Sequence, residues 1–189
     1  SIRGLDLSAA ELDLVQDSFF LTQKKVLYVA NVDEASMHTG NKYSDALIAS
    51  VKDEAAEVIV MNNTIEAQIS EMEDPDDKQL FMEEYKMTEP ALNRLIRTTY
   101  HLLNLQTYFT AGVQEVRAWT FHKGWKAPQC AAVIHTDFEK GFIKAEVIGY
   151  EDYITYKTEA ACREAGKLRI EGKEYLVKDG DVMHFRFNV

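Results

Sequence analysis

Two short, unbroken apolar runs constrain this chain most: Val26-Leu27-Tyr28-Val29-Ala30 and Val58-Ile59-Val60-Met61. Neither alternates with polar residues, and neither is long enough to make a helix. Runs of this kind read as strands buried on both faces, as in a parallel sheet covered by helices. Between them Asn41 is placed as a helix N-cap, and Tyr43, Leu47 and Val51 follow at helical spacing. Strand, helix and strand make one βαβ unit. Two parallel strands are a poor sheet by themselves, so the pattern leads us to expect further strands from sequence upstream of Ser1.

The segments around this unit read as helical. Ser8-Ala9-Ala10-Glu11 is a capping box, in which a hydroxyl and a carboxylate satisfy free amides; it opens a helix to about Asp17. Ile65, Ile69 and Met72 mark a helix that the acidic run Glu73 to Asp77, with Pro75, should end. Leu80, Phe81 and Tyr85 mark another. Pro90 suits the first position of a third, running from about Glu89 to Asn104. Near Gln106 the pattern changes. Ile143, Ala145 and Val147 alternate with Lys144 and Glu146, and Met183, Phe185, Phe187 and Val189 alternate with His184, Arg186 and Asn188. Both are half-buried strands. Asp179-Gly180 is a turn signal joining the last strand to a strand Tyr175-Leu176-Val177. Pro128 opens a short helix through Cys130 to Ile134. Residues 1–104 therefore read as α/β, and residues 105–189 as an α+β module in which a helix crosses a small mixed sheet.

Charge supports the same division. The net charge of −10 arises in the first part, where residues 1–104 carry 9 Lys and Arg against 19 Asp and Glu; the remainder carries 12 against 12. An acidic surface repels phosphate, so only the second part is expected to meet nucleic acid, through a local basic face. Arg117, Lys123, Lys126, Lys140 and Lys144 are the candidates, against the alternative of a solvated face with interspersed acids. Trp125, between Lys123-Gly124 and Lys126, is a ring that stacks on a base or covers the sheet edge. Hydrophobic residues make up 46% of the chain, enough for a core. No apolar run approaches the roughly 20 residues of a membrane helix. Ser1 to Asp17 is acidic and interrupted by charges, unlike a signal peptide. A cytoplasmic protein without a membrane partner is the expectation. Cys130 and Cys162 are too few for a disulfide framework, match no zinc spacing, and are expected to stay reduced. His135, with Asp137 two residues on and no nucleophile pattern nearby, reads as a structural turn or helix C-cap rather than a general base. His122 and His184 read as surface or satisfied residues.

Asn31-Val32-Asp33-Glu34 follows the first apolar run. Open α/β sheets bind ligands at that place, beyond the carboxyl ends of their strands. An Asn amide there can donate to a purine N7 and hold the loop, and a carboxylate three residues on can read the Watson–Crick edge. Guanine presents two donors on that edge, which an Asp accepts together. Adenine presents one acceptor and one amine. Glu34 is one methylene longer than Asp, which removes the guanine fork and admits adenine. A loop with capping polar residues is the other reading of the same spacing. No G-x-x-x-x-G-K-[ST] motif occurs in the 189 residues, so nothing in them cradles β- and γ-phosphates.

These segments, in this order, resemble a known family. VLYVANVDE (Val26 to Glu34) resembles the base-specificity segment of the YchF/Obg-like ATPases, within the translation-associated P-loop GTPases. Gln106 to Gly112, Glu115 to Trp119, Ile134 to Ile143 with its HTDFEKGFI, Glu171 to Tyr175 and Asp179 to Asp181 resemble the same family's C-terminal TGS domain. The likeness runs from about Leu5 to the end of the chain.

The resemblance implies a protein that hydrolyses ATP, with Asn-x-x-Glu in place of the GTPase Asn-Lys-x-Asp. It implies a nucleotide domain, a coiled-coil insertion, and a TGS domain of β-grasp, ubiquitin-like fold. It also implies association with the ribosome or its RNA in translation or stress control. Carried onto this chain, Asn31 and Glu34 would contact the adenine, and Val32 would line the base through its backbone. Residues 1–104 would be the C-terminal remnant of the P-loop domain and residues 105–189 the TGS domain. ATP, with GTP as the alternative, and Mg would belong to the full-length parent. The chain lacks the phosphate loop, its Mg-binding Ser/Thr and the coiled coil, although Ser8–Asp17 resembles the stretch returning from it. Base recognition and TGS docking, without hydrolysis, are therefore expected of the chain alone. It departs from the family at Asn62-Asn63-Thr64, where small Ser or Ala residues are usual, and at Trp125, where a small polar residue is usual. Glu66 matches the family's acidic position, and helix capping explains it equally. The rival reading is a stand-alone, non-enzymatic TGS module binding RNA or protein. TGS domains also occur in threonyl-tRNA synthetases and RelA/SpoT enzymes, but neither carries VLYVANVDE upstream.

Overall fold

The structure, a computed structural model, describes residues 2–54, 56–112 and 115–188, apart from the side chains of Ala9 and Gln16. Its contacts separate two units, Ser1–Leu103 and Asn104–Val189.

In the first unit, Ser8 caps helix α1 (Ala9–Gln16), and Glu11 returns the bond by accepting from the Ser8 N–H at 2.9 Å. Strand β1 (Leu27–Asn31), helix α2 (Lys42–Ser50) and strand β2 (Glu57–Met61) form the βαβ unit. The strands pair in parallel, from Leu27 opposite Glu57 to Asn31 opposite Met61. Asn41 caps α2, its Oδ1 accepting from the N–H groups of Tyr43 and Ser44. Helices α3 (Asn63–Glu71), α4 (Pro75–Glu84) and α5 (Ala91–Leu102) follow. Ile59 and Met61 of β2 bury against Ala91 of α5, with Leu27 and Leu95 beside them. Two side chains tether α5. Glu66 of α3 accepts from the N–H groups of Ala91 (2.7 Å) and Leu92 (3.1 Å), and Arg94 donates to the Val60 carbonyl at 2.7 Å. Pro90 offers no side-chain cap. A carboxylate from the neighbouring helix thus satisfies amides that α5 leaves open and meets the positive end of its dipole.

Some expectations need correction here. β1 is not buried on both faces: Val29 is 43% exposed and its neighbours are at best half-buried. Among the described residues this sheet has only two strands, so a run suited to a doubly covered strand stays partly open. Tyr43 points to solvent while Val51 is buried, so only the far end of the α2 stripe faces the core. Pro75 starts α4 rather than only ending α3; Asp74 ahead of it caps the amides of Asp76 and Asp77. Pro90 is the N-cap of α5 rather than its first helical residue.

The second unit begins with the antiparallel hairpin β3 (Leu105–Ala111) and β4 (Val116–His122). Helices α6 (Ala127–Ile134) and α7 (Thr136–Lys140) lead to β5 (Phe142–Ile148). Helices α8 (Tyr150–Tyr156) and α9 (Glu159–Glu164) lead to β6 (Arg169–Glu171), and a loop leads to β7 (Val182–Phe187). The sheet order is β4-β3-β7-β5-β6, with β7 parallel to β3 and the other pairs antiparallel. Tyr108, Phe121, Phe142, Ala145, Val147, Met183 and Phe185 form the core on one face, closed by Ala127, Cys130 and Ala131 of α6. These small residues let the helix lie close to the sheet. The Tyr108 hydroxyl donates to the Cys130 carbonyl at 2.9 Å, so the one polar atom of that ring is satisfied inside the core. Residues alternating with these, Phe109, Ile148 and Val182, join Cys162, Tyr153 and Leu168 in a second cluster beside α8 and α9.

Two sequence patterns mislead in this unit. Ile143 was expected inside, but it is 56% exposed and Phe142 is buried instead. Phe142 and Lys144 stand opposite the adjacent residues Phe187 and Arg186, so β5 carries one extra residue. This bulge turns Ile143 outward and inverts the alternation before Ala145. Tyr175-Leu176-Val177 is no strand; it makes a single bridge, Leu176 with Lys126. Asp181 is the cause. Its buried carboxylate accepts from the Tyr175 hydroxyl (2.7 Å) and the Lys178 N–H (2.9 Å), curling the segment back on itself. The turn at Asp179-Gly180 is present, with Gly180 at φ +81°. It is docked on β3, with Asp179 accepting from the Thr107 N–H at 2.8 Å. Val189, expected as the last inward residue of β7, lies outside the described residues.

Glu146 of β5 is only 11% exposed and lies 3.0 Å from Arg186 and 3.8 Å from Arg163. Burial works to raise its carboxyl, but the Arg186 hydrogen bond and the charges of Arg186, His184 and Arg163 outweigh it and hold it below the ordinary 4.5. A depressed folded pKa gives stability that is complete above the unfolded value and lost as pH falls through the folded one. Urea denaturation at a series of pH values should therefore show stability declining below about pH 4.5, and Glu146→Gln should flatten that acid limb.

Candidate functional site

Parallel pairing brings the carboxyl ends of β1 and β2 side by side, so the loops after Asn31 and Met61 meet. The Val32 N–H donates to the Met61 carbonyl at 3.0 Å. Asn31 Oδ1 accepts from the Asn63 N–H at 3.0 Å. Asn62 Nδ2 donates to the Val32 carbonyl at 2.8 Å, while its Oδ1 accepts from the Ile65 N–H at 2.9 Å and caps α3. The two loops are stitched together. Because the oxygen of the planar Asn31 amide is turned to Asn63, its Nδ2 faces the other way, on an exposed residue. The loop thus presents a hydrogen-bond donor suited to an acceptor such as a purine N7.

The carboxylates of the same loop divide their tasks. Asp33 accepts from the Ser36 N–H at 3.0 Å and caps the short 3-10 turn Glu34–Ser36. Glu34 is left exposed. The Tyr85 hydroxyl is raised above its ordinary 10.0 mainly by burial and next by the charge of Glu34. His38 bonds the Tyr85 carbonyl at 2.7 Å, so the stretch from Glu34 to His38 faces the end of α4.

Asn31 and Val32 line a depression of about 240 Å³ with Asn41, Tyr43 and Ser44. Met61, Asn62 and Glu66 line a separate cleft of about 130 Å³ with His38 and Arg94. Glu34 lines neither. The structure thus joins Asn31 and Val32 and leaves Glu34 beside them. It also explains Asn62, whose side-chain amide ties the loops together, whereas Asn63 contributes its backbone N–H. The sequence carried part of this signal, since Asn ahead of a helical stripe is an N-cap pattern. The cross-loop bond to Val32 left no trace in it.

The candidate basic residues of the second unit do not share one place. Arg117 and Lys123 sit at opposite ends of β4, roughly 20 Å apart at the rise of an extended chain. Arg117 lies 4.0 Å over the Trp119 ring and 3.7 Å from Glu115. Lys126 pairs with Glu174. Trp125 is half-buried against the core, 5.1 Å from the His122 ring. Lys140 ends α7, exposed, and Lys144 is half-buried on β5. Lys123, Trp125 and Lys126 are the group that one turn holds together. His135 is the N-cap of α7, its Nδ1 accepting from the Asp137 N–H at 3.2 Å. The Asp137 carboxylate lies 3.4 Å from the same nitrogen.

Among the described residues, no three His, Cys, Asp or Glu side chains converge as metal ligands, and no helix is long and apolar enough to cross a membrane. Both cysteines are free and fully buried. Burial pushes the Cys130 thiol up to about 12, and also raises Cys162. The thiolate is the reactive form, so neither should react near neutral pH. Iodoacetamide should leave both unlabelled in the folded chain over a period in which the urea-unfolded chain labels twice, read by mass spectrometry.

The family model YchF-GTPase_C, described as "Protein of unknown function (DUF933)", matches residues 105–188. Curated relatives called "Ribosome-binding ATPase YchF" are 55% identical in Pasteurella multocida and 53% in Escherichia coli O157:H7, both over 188 residues covering 100% of this chain and 51% of theirs. The Bacillus subtilis relative of the same name is 51% identical over 99% of this chain and 51% of its own. The chain thus spans about half the length of the curated relatives it matches. The solved Schizosaccharomyces pombe YchF GTPase superposes with a TM-score of 0.84 at 37% identity, covering 98% of this chain and 49% of that one. A Pyrococcus horikoshii GTP-binding protein, at TM-score 0.58 and 16% identity over 86% of this chain and 45% of its own, shares the fold alone. With matching sequence along its whole length and the family's C-terminal model at residues 105–188, the chain belongs to the YchF family as a C-terminal part of its members.

Proposed function

We propose that this chain is the base-reading and docking part of a ribosome-associated P-loop ATPase that acts in the cytoplasm. The observation that carries the reading is the Asn31 amide, held by Asn63 so that its donor faces outward at the carboxyl end of β1. Asn31 donates to the purine, the Val32 backbone lines it, and Glu34 favours adenine over guanine. The names of the bacterial relatives support an ATPase that binds ribosomes. The fission yeast relative is called a GTPase, so GTP is kept as the second nucleotide. No G-x-x-x-x-G-K-[ST] motif occurs in the 189 residues to hold the phosphates and their Mg. The chain alone binds without hydrolysing.

Residues 105–189 are read as a TGS domain of β-grasp type. What supports this is a sheet whose first and last strands run parallel at its centre, with α6 packed across one face. Its docking group is Lys123, Trp125 and Lys126, with Arg117 and Lys140 contributing separately to contact with ribosomal RNA.

Calorimetry should give ATP binding to the chain weaker than about 1 μM, because phosphate contacts are lacking. Glu34→Asp should move the ATP-to-GTP preference toward GTP by roughly tenfold, about 1.4 kcal/mol. An unchanged ratio would remove Glu34 from base selection. Ribosome co-sedimentation should succeed at low salt, fade as salt rises, and weaken in a Lys123→Ala, Lys126→Ala variant. No pelleting at low salt would remove the docking role.

A further inference from the structure

We infer that Asn62 is a positioning residue for purine recognition, a role that rests on the reading of Asn31 as a base contact. Asn62 is 9% exposed, and both ends of its amide are occupied. The oxygen caps α3, a task that Ser, Thr or Asp would perform as well. The nitrogen donates across to the Val32 carbonyl, a bond for which ionised Asp has no donor and for which Ser or Thr would have to use the same short hydroxyl that caps the helix. The residue choice therefore exceeds what the helix start needs. The next residue, Asn63, supplies the N–H that holds the Asn31 oxygen. Asn62 thus fixes the loop on both sides of Asn31: it anchors the following peptide at Val32 and sets the peptide that grips the Asn31 side chain. Without it, the Asn31 amide is free to rotate and to turn its oxygen outward, where a purine acceptor would repel it.

The chemistry limits what this can influence. N7 is common to adenine and guanine and absent from pyrimidines. Asn62 therefore contributes to affinity for purines as a class, whereas Glu34 chooses between them. Asn62→Asp keeps the capping oxygen but sets a charged acceptor oxygen against the Val32 carbonyl in place of the donor, and Asn62→Ser keeps a cap without adding charge.

The test is a set of ¹H–¹⁵N NMR titrations of this chain with ATP, GTP and CTP, which read millimolar dissociation constants. Asn62→Asp and Asn62→Ser should each weaken ATP and GTP by roughly tenfold, the value of about one buried hydrogen bond. The ATP-to-GTP ratio and the response to CTP should stay near those of the parent chain, and the melting temperature should fall by no more than the few degrees one buried hydrogen bond is worth, while the Asn63 amide exchanges faster. Asn31→Ala serves as the control on the base site. If Asn31→Ala leaves ATP binding unchanged, or ATP does not bind the parent chain, the base-site reading falls and this inference falls with it. If Asn31→Ala weakens ATP but neither Asn62 variant does, the positioning role alone is overturned. Equal weakening of all three nucleotides, or a large drop in melting temperature, would make Asn62 merely structural and overturn it too.

Discussion

The parallel pairing of β1 with β2 is the interaction on which the candidate site depends. It aligns Asn31 with Met61, so the two loops that follow leave the sheet side by side. Each loop begins where the ladder ends, and the peptide groups there need partners. The side chains of Asn31 and Asn62 and the backbones of Val32 and Asn63 supply them to one another. Satisfying those groups also decides polarity. An amide that gives its oxygen to a neighbouring N–H must turn its nitrogen away, and a donor facing solvent is what a purine acceptor requires.

The same demand shapes the rest of the first unit. Glu66 leaves α3 to cap α5, and Arg94 leaves α5 to reach a carbonyl of β2. These bonds link elements distant in sequence in a unit whose two-stranded sheet buries little. Polar side chains here hold together what apolar cover does not.

In the second unit, apolar burial leads and polar groups refine. The core between the sheet and α6 is nearly all hydrophobic, and the hydroxyl of Tyr108 is satisfied within it. The buried Asp181 gathers Tyr175, Lys178 and Arg169 around one carboxylate and converts an expected strand into a loop. Burial and the hydrogen bond to Asp181 push the Tyr175 hydroxyl up to about 12, so that hydroxyl keeps the proton it donates around neutral pH. The basic residues spread over this unit, and only a turn gathers a few of them. The cluster that charge counting suggests is therefore smaller in space than in sequence.

Local patterns were legible from residues alone. Ser8 with Glu11, and Asn41 ahead of α2, fixed helix starts because capping is settled within a few residues. The apolar runs marked β1 and β2, and the family's segments were recognisable along the chain. Longer-range geometry was not. The bulge at Ile143 depends on how β5 registers against β7, and the loss of a strand at Tyr175 depends on a carboxylate six residues away. The exposure of Val29 depends on how many strands flank it. Sequence by itself determined the residue types in the loop after β1 and the kind of bond each could make. Tertiary structure decided which way the Asn31 amide faces and which carboxylate of its loop is engaged in capping a turn. A side chain's partners are set by whatever segment the fold brings within about 3 Å, and no local pattern records that.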